Sequence, residues 1–184
     1  MEQIPEEIAA FTAWLLARGP VHHVVEIGVR RGGTARHWHS ISTGTVVGVD
    51  WFGKDSLGAK ETIRVADELS RELPRYVAEF GNSQLESTQA DVDDDLYGPA
   101  DLVFLDGDHS YEGVRRDFDL YRSLTRSGSV IAFHDIVESE LMHQAGHGVY
   151  RFWRELKAAH PGQWHEFIHD PAQSWGGIGA LEVV

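Results

Sequence analysis

The sequence predicts an α/β protein, a three-layer sandwich around a Rossmann-like, mostly parallel seven-stranded sheet with an antiparallel C-terminal strand. Three observations predict this class. Short runs of β-branched residues alternate with segments of helical periodicity along most of the chain. Several runs end in glycine or acidic residues, which is typical of strand ends at a ligand-binding sheet edge. Two apolar runs near the C terminus have no helix between them, so they can pair antiparallel.

The first half of the chain begins with an amphipathic helix, which ends at Gly19-Pro20. We expect residues 1–19 to form a helix that packs on a single domain spanning residues 1–184. The next elements are predicted in this order: strand 21–28, helix 35–41, strand 45–50, helix 58–73 with Ile63 and Leu69 facing inward, and strand 76–80.

A strand-helix-strand unit organises the second half, after a polar helix at 85–96. The apolar runs 102–105 and 130–133 predict parallel, adjacent strands, and the helical spacing of Val114, Phe118 and Tyr121 predicts the helix between them. The segment 138–148 has little periodicity and predicts a loop. A helix begins at Val149, and two strands at 164–169 and 178–184 complete the order.

Bulk composition limits the functional classes. A chain of 184 residues is long enough for one substantial core. Sixteen Lys and Arg against 29 Asp and Glu give a net charge of −13, which argues against nucleic acid or an anionic membrane as partner. The absence of cysteine excludes disulfides, thiolate metal sites and a cysteine nucleophile. The acidic N-terminal segment and the lack of a long apolar run predict a cytoplasmic protein.

The glycine turn after the first strand decides between two kinds of cofactor. A dinucleotide fingerprint needs glycine at the third position of G-x-G-x-x-G, where this chain has Arg30. The turn therefore disfavours an NAD-linked dehydrogenase and favours an adenosine ligand without a pyrophosphate. Asp50 ends the next strand about 20 residues after Gly28, where a carboxylate can accept hydrogen bonds from a ribose. S-adenosylmethionine is the candidate ligand.

Five motifs in order resemble those of class I S-adenosylmethionine-dependent methyltransferases. Within that superfamily the chain is most similar to small O-methyltransferases with an Asp-Gly-Asp-His-Ser-Tyr signature, a group that includes catechol-type, caffeoyl-CoA-type and macrolide-sugar enzymes. The resemblance covers almost the whole chain. The motifs are Val25-Glu26-Ile27-Gly28 with Gly32-Gly33, Val49-Asp50, Gly81-Asn82-Ser83-Gln84, the run 104–113 and Phe133-His134-Asp135.

The resemblance implies a role for each cofactor-side residue. Glu26 and the turn with Gly28, Gly32 and Gly33 would face the methionine moiety, and Asp50 would bind the ribose hydroxyls. Ser83 and Gln84 would lie near the adenine. Asp106 would border the cofactor as well as the reaction centre.

The same resemblance places a divalent metal, magnesium or another ion, between two strand ends, with Asp106, His134 and Asp135 as ligands. His134 departs from the family pattern, in which two oxygen ligands are usual. A histidine there favours a softer metal, or else stays outside the coordination sphere. His109 stands three residues after Asp106, where catechol-type relatives carry a lysine base, and it is our candidate for the group that deprotonates the acceptor.

The predicted function is O-methylation of a small hydroxylated acceptor, a sugar or a natural-product intermediate. The alternative is a catalytically silent S-adenosylmethionine-binding or partner-binding module, because the His134 departure and the short chain leave little for acceptor recognition. We expect the acceptor pocket to come from residues 1–19, 51–62 and 136–150. A homodimer through the Trp-rich C-terminal region is a further expectation.

Overall fold

The computed structural model describes residues 3–51 and 58–184, and the structural statements below concern these residues. Its sheet has seven strands in the order β3-β2-β1-β4-β5-β7-β6. β7 runs antiparallel to both neighbours, β5 and β6, whereas the other pairings are parallel. The predicted fold class is confirmed. The strands are β1 Val24–Ile27, β2 Val46–Asp50, β3 Tyr76–Phe80, β4 Ala100–Leu105, β5 Thr125–His134, β6 Trp164–Phe167 and β7 Ile178–Glu182.

The helices follow the predicted order with one addition. They are α1 Pro5–Ala17, α2 Gly33–Ile41, α3 Ala59–Glu72, α4 Glu86–Leu96, α5 Tyr111–Tyr121, α6 Glu140–Gln144 and α7 Val149–Ala159, with a 3₁₀ turn at Arg122–Leu124. The loop prediction for 138–148 is wrong at α6. Ser139 caps this helix by accepting a hydrogen bond from the Met142 backbone, and the Met142 side chain is buried. Five residues are too few to show helical periodicity.

Two hydrophobic cores separate the three layers of the sandwich. On one sheet face, α4, α5 and α7 pack through residues such as Val92, Phe118 and Trp153. On the other face, α1, α2 and α3 pack through residues such as Phe11 and Trp38. Alternate strand residues therefore face opposite cores, as the pleat requires.

Helix α3 shows which face its sequence buries. Ile63 was predicted to face inward, but its side chain is 45% exposed, whereas Val65, Ala66 and Leu69 are buried. The prediction for Ile63 was wrong because the helix is rotated to bury Val65 with Leu69, its i+4 neighbour. Burying a leucine side chain of this size contributes about 2 kcal/mol.

Helix α1 packs on the sheet through an aromatic contact. Pro5 begins the helix, and Phe11 is completely buried. The Phe11 ring meets Trp38 edge to face at 6.0 Å and lies 6.5 Å from the Phe104 ring. Aromatic pairs of this geometry add about 0.5–1.5 kcal/mol to the area buried. This contact brings the residues before α1 close to the carboxyl ends of β4 and β5.

None of the described helices is both long enough and apolar enough to cross a bilayer.

Candidate functional site

A cleft of about 1200 Å³ opens at the carboxyl ends of β1, β2, β4 and β5. The strand registers align these ends, because Ile27 pairs with Val49 and Leu105, and Leu105 pairs with Phe133. Strand order reverses between β1 and β4, and ligands of open α/β sheets bind at such a switch point. Most predicted site residues line this cleft: Gly28, Gly33, Asp50, Ser83, Gln84, Asp106, His109, His134 and Asp135.

The turn between β1 and α2 needs glycine for two separate reasons. Gly28 has φ +92°, and a Cβ there would lie 2.1 Å from the Asp106 carbonyl oxygen. Gly32 has φ +70° and precedes α2, and a Cβ there would lie 2.7 Å from Leu69 Cδ1. Gly32 is therefore beneath the cleft, where it lets α2 and α3 approach each other. Gly28 brings the turn against the end of β4.

Asp50 fastens this turn to the end of β2. Its Oδ2 accepts a hydrogen bond from the Arg30 backbone at 2.6 Å, and its Oδ1 accepts one from the Trp51 backbone at 2.7 Å. Each oxygen keeps a second lone pair, so the carboxylate can still accept hydrogen bonds from a ligand. Trp51, exposed by 53%, lines the cleft beside it. Residues 52–57 of the predicted acceptor segment lie outside the described residues.

Glu26 lies at the base of the cleft and not in its wall. Its side chain is completely buried, and neither carboxylate oxygen has a hydrogen-bond partner in the described part of the chain. Burial raises the pKa of Glu26 to about 8, with Asp106 and Asp50 adding to the effect and Thr34 and Trp38 opposing it. A positively charged ligand group nearby would stabilise the ionised form.

The turn after β3 is joined to the turn after β4. Gln84 Nε2 donates to Asp108 Oδ2 at 2.9 Å, and the Ser110 backbone donates to Asp108 Oδ1 at 2.9 Å. Arg116 Nε donates to the Gln84 carbonyl at 3.1 Å. These bonds hold Gln84 and its neighbour Ser83 at the side of the cleft away from His134, where the motif resemblance places the adenine.

Asp117 is a buried acid that the sequence reasoning missed. It is 1% exposed on α5, and burial raises its pKa to about 7, with the Ser83 side chain opposing the rise and Asp108 adding to it. The signal was present, because Asp117 stands three residues after Val114 on the inward face. An acidic residue on the apolar face of a helix predicts a buried carboxyl, which is a candidate site residue.

The side of the cleft at the ends of β4 and β5 holds four residues that we call the acid-imidazole cluster: Asp106, His109, His134 and Asp135. His109 bridges the two acids, with Nδ1 at 3.0 Å from Asp135 Oδ2 and Nε2 at 3.4 Å from Asp106 Oδ1. His134 Nδ1 lies 3.1 Å from Asp106 Oδ1 and 3.5 Å from Asp135 Oδ1. The structure thus brings together every residue that the sequence assigned to catalysis and metal binding.

Mutual attraction sets the charge states in this cluster. Burial opposes the ionisation of Asp106, but His134 and His109 outweigh it and hold the pKa of Asp106 well below its usual range. Burial alone would lower the pKa of His109, yet its bonds to Asp106 and Asp135 raise it to about 10. The pKa of Asp135 is lowered and that of His134 is raised for the same reason. At neutral pH the cluster contains carboxylates and a protonated His109.

Residues distant in sequence complete the cluster. Gln3 Nε2 donates to Asp106 Oδ2 at 2.9 Å, and the Gly176 backbone donates to Asp135 Oδ1 at 3.0 Å. The His147 ring meets the His109 ring edge to face at 4.6 Å, and its Nδ1 lies 3.7 Å from Asp135 Oδ2. Periodicity could not reveal these contacts, because they depend on how α1 and the segments around 147 and 176 fold over the sheet edge.

Glu7 fixes the segment 169–177 beside the cluster. This carboxylate is 2% exposed and accepts three hydrogen bonds: from Gly177 N at 2.8 Å, His169 N at 3.1 Å and Gln173 Nε2 at 2.6 Å. The same segment carries Gly176, which binds Asp135, and Trp175, which lines the cleft. α1 therefore supports the segment beside the acid-imidazole cluster through one buried side chain.

Two features define a protein of the class I methyltransferase type. The first is the strand order with an antiparallel β7. The second is the cleft at the switch point, which is lined by the glycine turn and the acid-imidazole cluster. The chain belongs to the methyltransferase domain family, whose model matches residues 25–136. The resemblance inferred from the motifs is confirmed at the level of family and fold.

Individual relatives are distant. A stretch of 70 residues is 34% identical to uncharacterized protein y4gI of Sinorhizobium fredii (strain NBRC 101917 / NGR234), and it covers 38% of this chain and 7% of that protein. The O-methyltransferase of Bacillus cereus in complex with SAH superposes with a TM-score of 0.73 at 20% identity, over 99% of this chain and 83% of that one. MycE, a methyltransferase of the mycinamycin biosynthetic pathway in complex with Mg, SAH and mycinamycin VI, superposes with a TM-score of 0.62 at 18% identity, over 95% of this chain and 48% of that one.

Proposed function

We propose that this protein transfers a methyl group from S-adenosylmethionine to a hydroxyl of a small acceptor, a sugar or a natural-product intermediate. One observation carries the proposal: the glycine turn with Asp50, at the ends of β1 and β2, and the acid-imidazole cluster, at the ends of β4 and β5, line the same cleft. A donor held at the first side would present its methyl group to an acceptor held at the second. The O-methyltransferases of similar fold support this assignment.

The residues of the donor side fit the proposed cofactor. S-adenosylmethionine supplies a methyl group activated by a sulfonium, which an acceptor oxygen attacks in line. Asp50 has free lone pairs for the ribose hydroxyls, and Gly28 lets the backbone approach the ligand closely. Glu26, buried without a hydrogen bond from the described residues, would be stabilised by a cationic methionine moiety above it.

On the acceptor side, His109 is the proposed proton acceptor, held between Asp106 and Asp135. Asp135 orients the ring through Nδ1 at 3.0 Å, and Nε2, which makes the longer contact of 3.4 Å with Asp106, is the atom that would receive the acceptor proton. His109 must first lose the proton that its raised pKa retains, and every positive charge bound beside the two carboxylates favours that loss.

The cluster also fits a divalent metal ion, because Asp106, His134 and Asp135, at the ends of two adjacent strands, each offer a donor atom within 4.8 Å of the other two. His134 Nδ1 lies 3.1 Å from Asp106 Oδ1 and 3.5 Å from Asp135 Oδ1. When bound, such an ion would acidify an acceptor hydroxyl and lower the cost of its deprotonation. Asp106 would keep its hydrogen bond from Gln3, since that bond is made by Oδ2 and not by Oδ1.

Two measurements test the proposal. Calorimetry should show that the wild type binds S-adenosylmethionine and that Asp50→Asn binds it at least about tenfold more weakly. Methyl transfer from labelled donor to a panel of catechols, sugars and phenolic natural products should then identify an acceptor. His109→Asn should abolish that transfer while keeping donor affinity, and His165→Asn, which changes a histidine on β6 paired with Glu182, should leave both unchanged. Donor binding with no turnover on any acceptor would instead support the silent module.

A further inference from the structure

The donor atoms at the acid-imidazole cluster have the spacing of ligands around a single ion. His134 Nδ1 lies 3.1 Å from Asp106 Oδ1 and 3.5 Å from Asp135 Oδ1. Ligands on neighbouring positions around an ion with bonds of about 2.1 Å stand about 3.0–3.4 Å apart. An ion bound by both carboxylates at this point would therefore also meet the imidazole nitrogen.

The position of this nitrogen is fixed by the fold. His134 is the last residue of β5, where it pairs with Ile178 of β7, and its side chain is 4% exposed. Its ring lies 6.5 Å from the ring of Phe104 on the neighbouring strand. Although His134 borders the cleft, only 4% of its side chain is exposed, and its Nδ1 already faces both carboxylates, so an ion held by Asp106 and Asp135 would lie beside the imidazole.

A third imidazole, after those of His134 and His109, lies close to Asp135. His147 Nδ1 lies 3.7 Å from Asp135 Oδ2, and in the described part of the chain this buried atom makes no hydrogen bond. With His109 and Asp135 it forms a further group of three potential ligands. The surroundings of Asp135 are thus rich in nitrogen, whereas Mg²⁺ prefers oxygen ligands and keeps several waters.

We infer that this cluster binds a transition-metal ion of the Mn²⁺, Fe²⁺, Co²⁺ or Zn²⁺ class in preference to Mg²⁺, and that His134 Nδ1 is the ligand that sets the preference. The inference rests on the proposed function, since it names the metal class for the same site. An imidazole ligand suits Fe²⁺ and Zn²⁺ better than Mg²⁺, and affinity for a given site generally rises from Mn²⁺ through Fe²⁺ to Co²⁺. Mn²⁺ stands lowest in that order, so a preference for Mn²⁺ over Mg²⁺ is the most demanding test of the inference.

The test uses Mn²⁺ as the probe, because its electron paramagnetic resonance signal in water is lost when the ion binds protein. The full chain, stripped of metal with a chelator, is titrated with Mn²⁺ alone and with Mg²⁺ as competitor. The wild type should bind Mn²⁺ at least about tenfold more tightly than Mg²⁺. His134→Asp supplies oxygen in place of nitrogen and should reduce that ratio by about tenfold, whereas His160→Asp, at the end of α7, should keep it. Circular dichroism establishes that each variant is folded.

The wild-type titration decides the matter even if His134→Asp does not fold. Equal competition by Mg²⁺, or a Mn²⁺ signal that the protein leaves unchanged, would overturn the inference, as would an unchanged ratio in folded His134→Asp. Calorimetry with S-adenosylmethionine on the same samples separates the two proposals. Donor binding and methyl transfer without Mn²⁺ binding would refute only the metal class, whereas failure of donor binding would refute the proposed function.

Discussion

The buried carboxyl of Glu26 allows the electrostatics beneath the glycine turn to be measured directly. The change Glu26→Gln removes the titrating group and keeps the shape of the protonated carboxyl. Burial raises the pKa of Glu26 from its ordinary value of 4.5 to about 8, whereas the unfolded chain has no burial to raise it. Between these two values the native state keeps a proton that the unfolded state has released.

The expected effect follows from this difference in bound protons. Below pH 4.5 Glu26 is protonated in both states, so wild type and Glu26→Gln should have similar free energies of unfolding. As the pH rises towards 8, the wild type should lose stability relative to the variant by about 1.36 kcal/mol per pH unit. The difference reaches about 5 kcal/mol as an upper limit. That corresponds to about 10–20 °C in melting temperature for a chain of this size.

Urea denaturation at a series of pH values from about 5 to about 9 is the assay. Glu26→Gln should become increasingly more stable than wild type up to about pH 8, and the difference should level off above that value. The control is Glu86→Gln, which changes a carboxylate that is 82% exposed near the start of α4 and should follow the wild type throughout. If the difference between Glu26→Gln and wild type is independent of pH, Glu26 does not titrate between the two limits and the reasoning from burial is refuted.

Three further predictions concern other parts of the site. Gly28→Ala places a methyl group 2.1 Å from the Asp106 carbonyl at φ +92°, so urea denaturation should show a loss of roughly 3 kcal/mol or more; a loss below 1 kcal/mol would contradict the close approach. Asp117→Asn should match wild-type stability near pH 4 and exceed it by a few kcal/mol above pH 7, since the raised pKa of Asp117 favours its protonated form; the same pH series checks this. Glu7→Ala removes the acceptor of three hydrogen bonds and should cost roughly 3 kcal/mol. Hydrogen exchange should then accelerate in residues 169–177, and unchanged protection there would rule out the role given to Glu7.

Much of the fold was predictable because it rests on local patterns. Parallel strands buried on both faces read as continuous apolar runs, so β4 and β5 were predicted from 102–105 and 130–133 alone. The order of strands and acidic ends also placed Asp106, His134 and Asp135 at one sheet edge before any contact was known. This placement follows from the rule that the carboxyl ends of parallel strands lie at the same edge of a sheet.

The remainder depends on contacts that periodicity cannot report. α6 is too short to have a period. On α3 the inward position of Leu69 was predicted correctly, but Ile63 was wrongly placed on the same face, because apolar Ile63 competes with Val65 for the same pattern. From the sequence, His109 was a candidate base with the ordinary pKa of a histidine. The structure places it between two carboxylates, which raise its pKa and keep it protonated. The charge of His109 depends on its distances of a few ångströms from two carboxylates, and those distances cannot be derived from the spacing of residues along the chain.

The bond between Glu7 and Gly177 also has a consequence for the order of folding during synthesis. The two residues are 170 positions apart, so α1 is translated well before residues 169–177 and cannot acquire the partners of its buried carboxylate until six of the seven described strands have been made. Docking of the first helix is therefore expected among the last events, after β5 and the segment before β7 have met. Until then Asp135 lacks its Gly176 hydrogen bond, so the acid-imidazole cluster takes its final form only when the segment before β7 has docked beside β5.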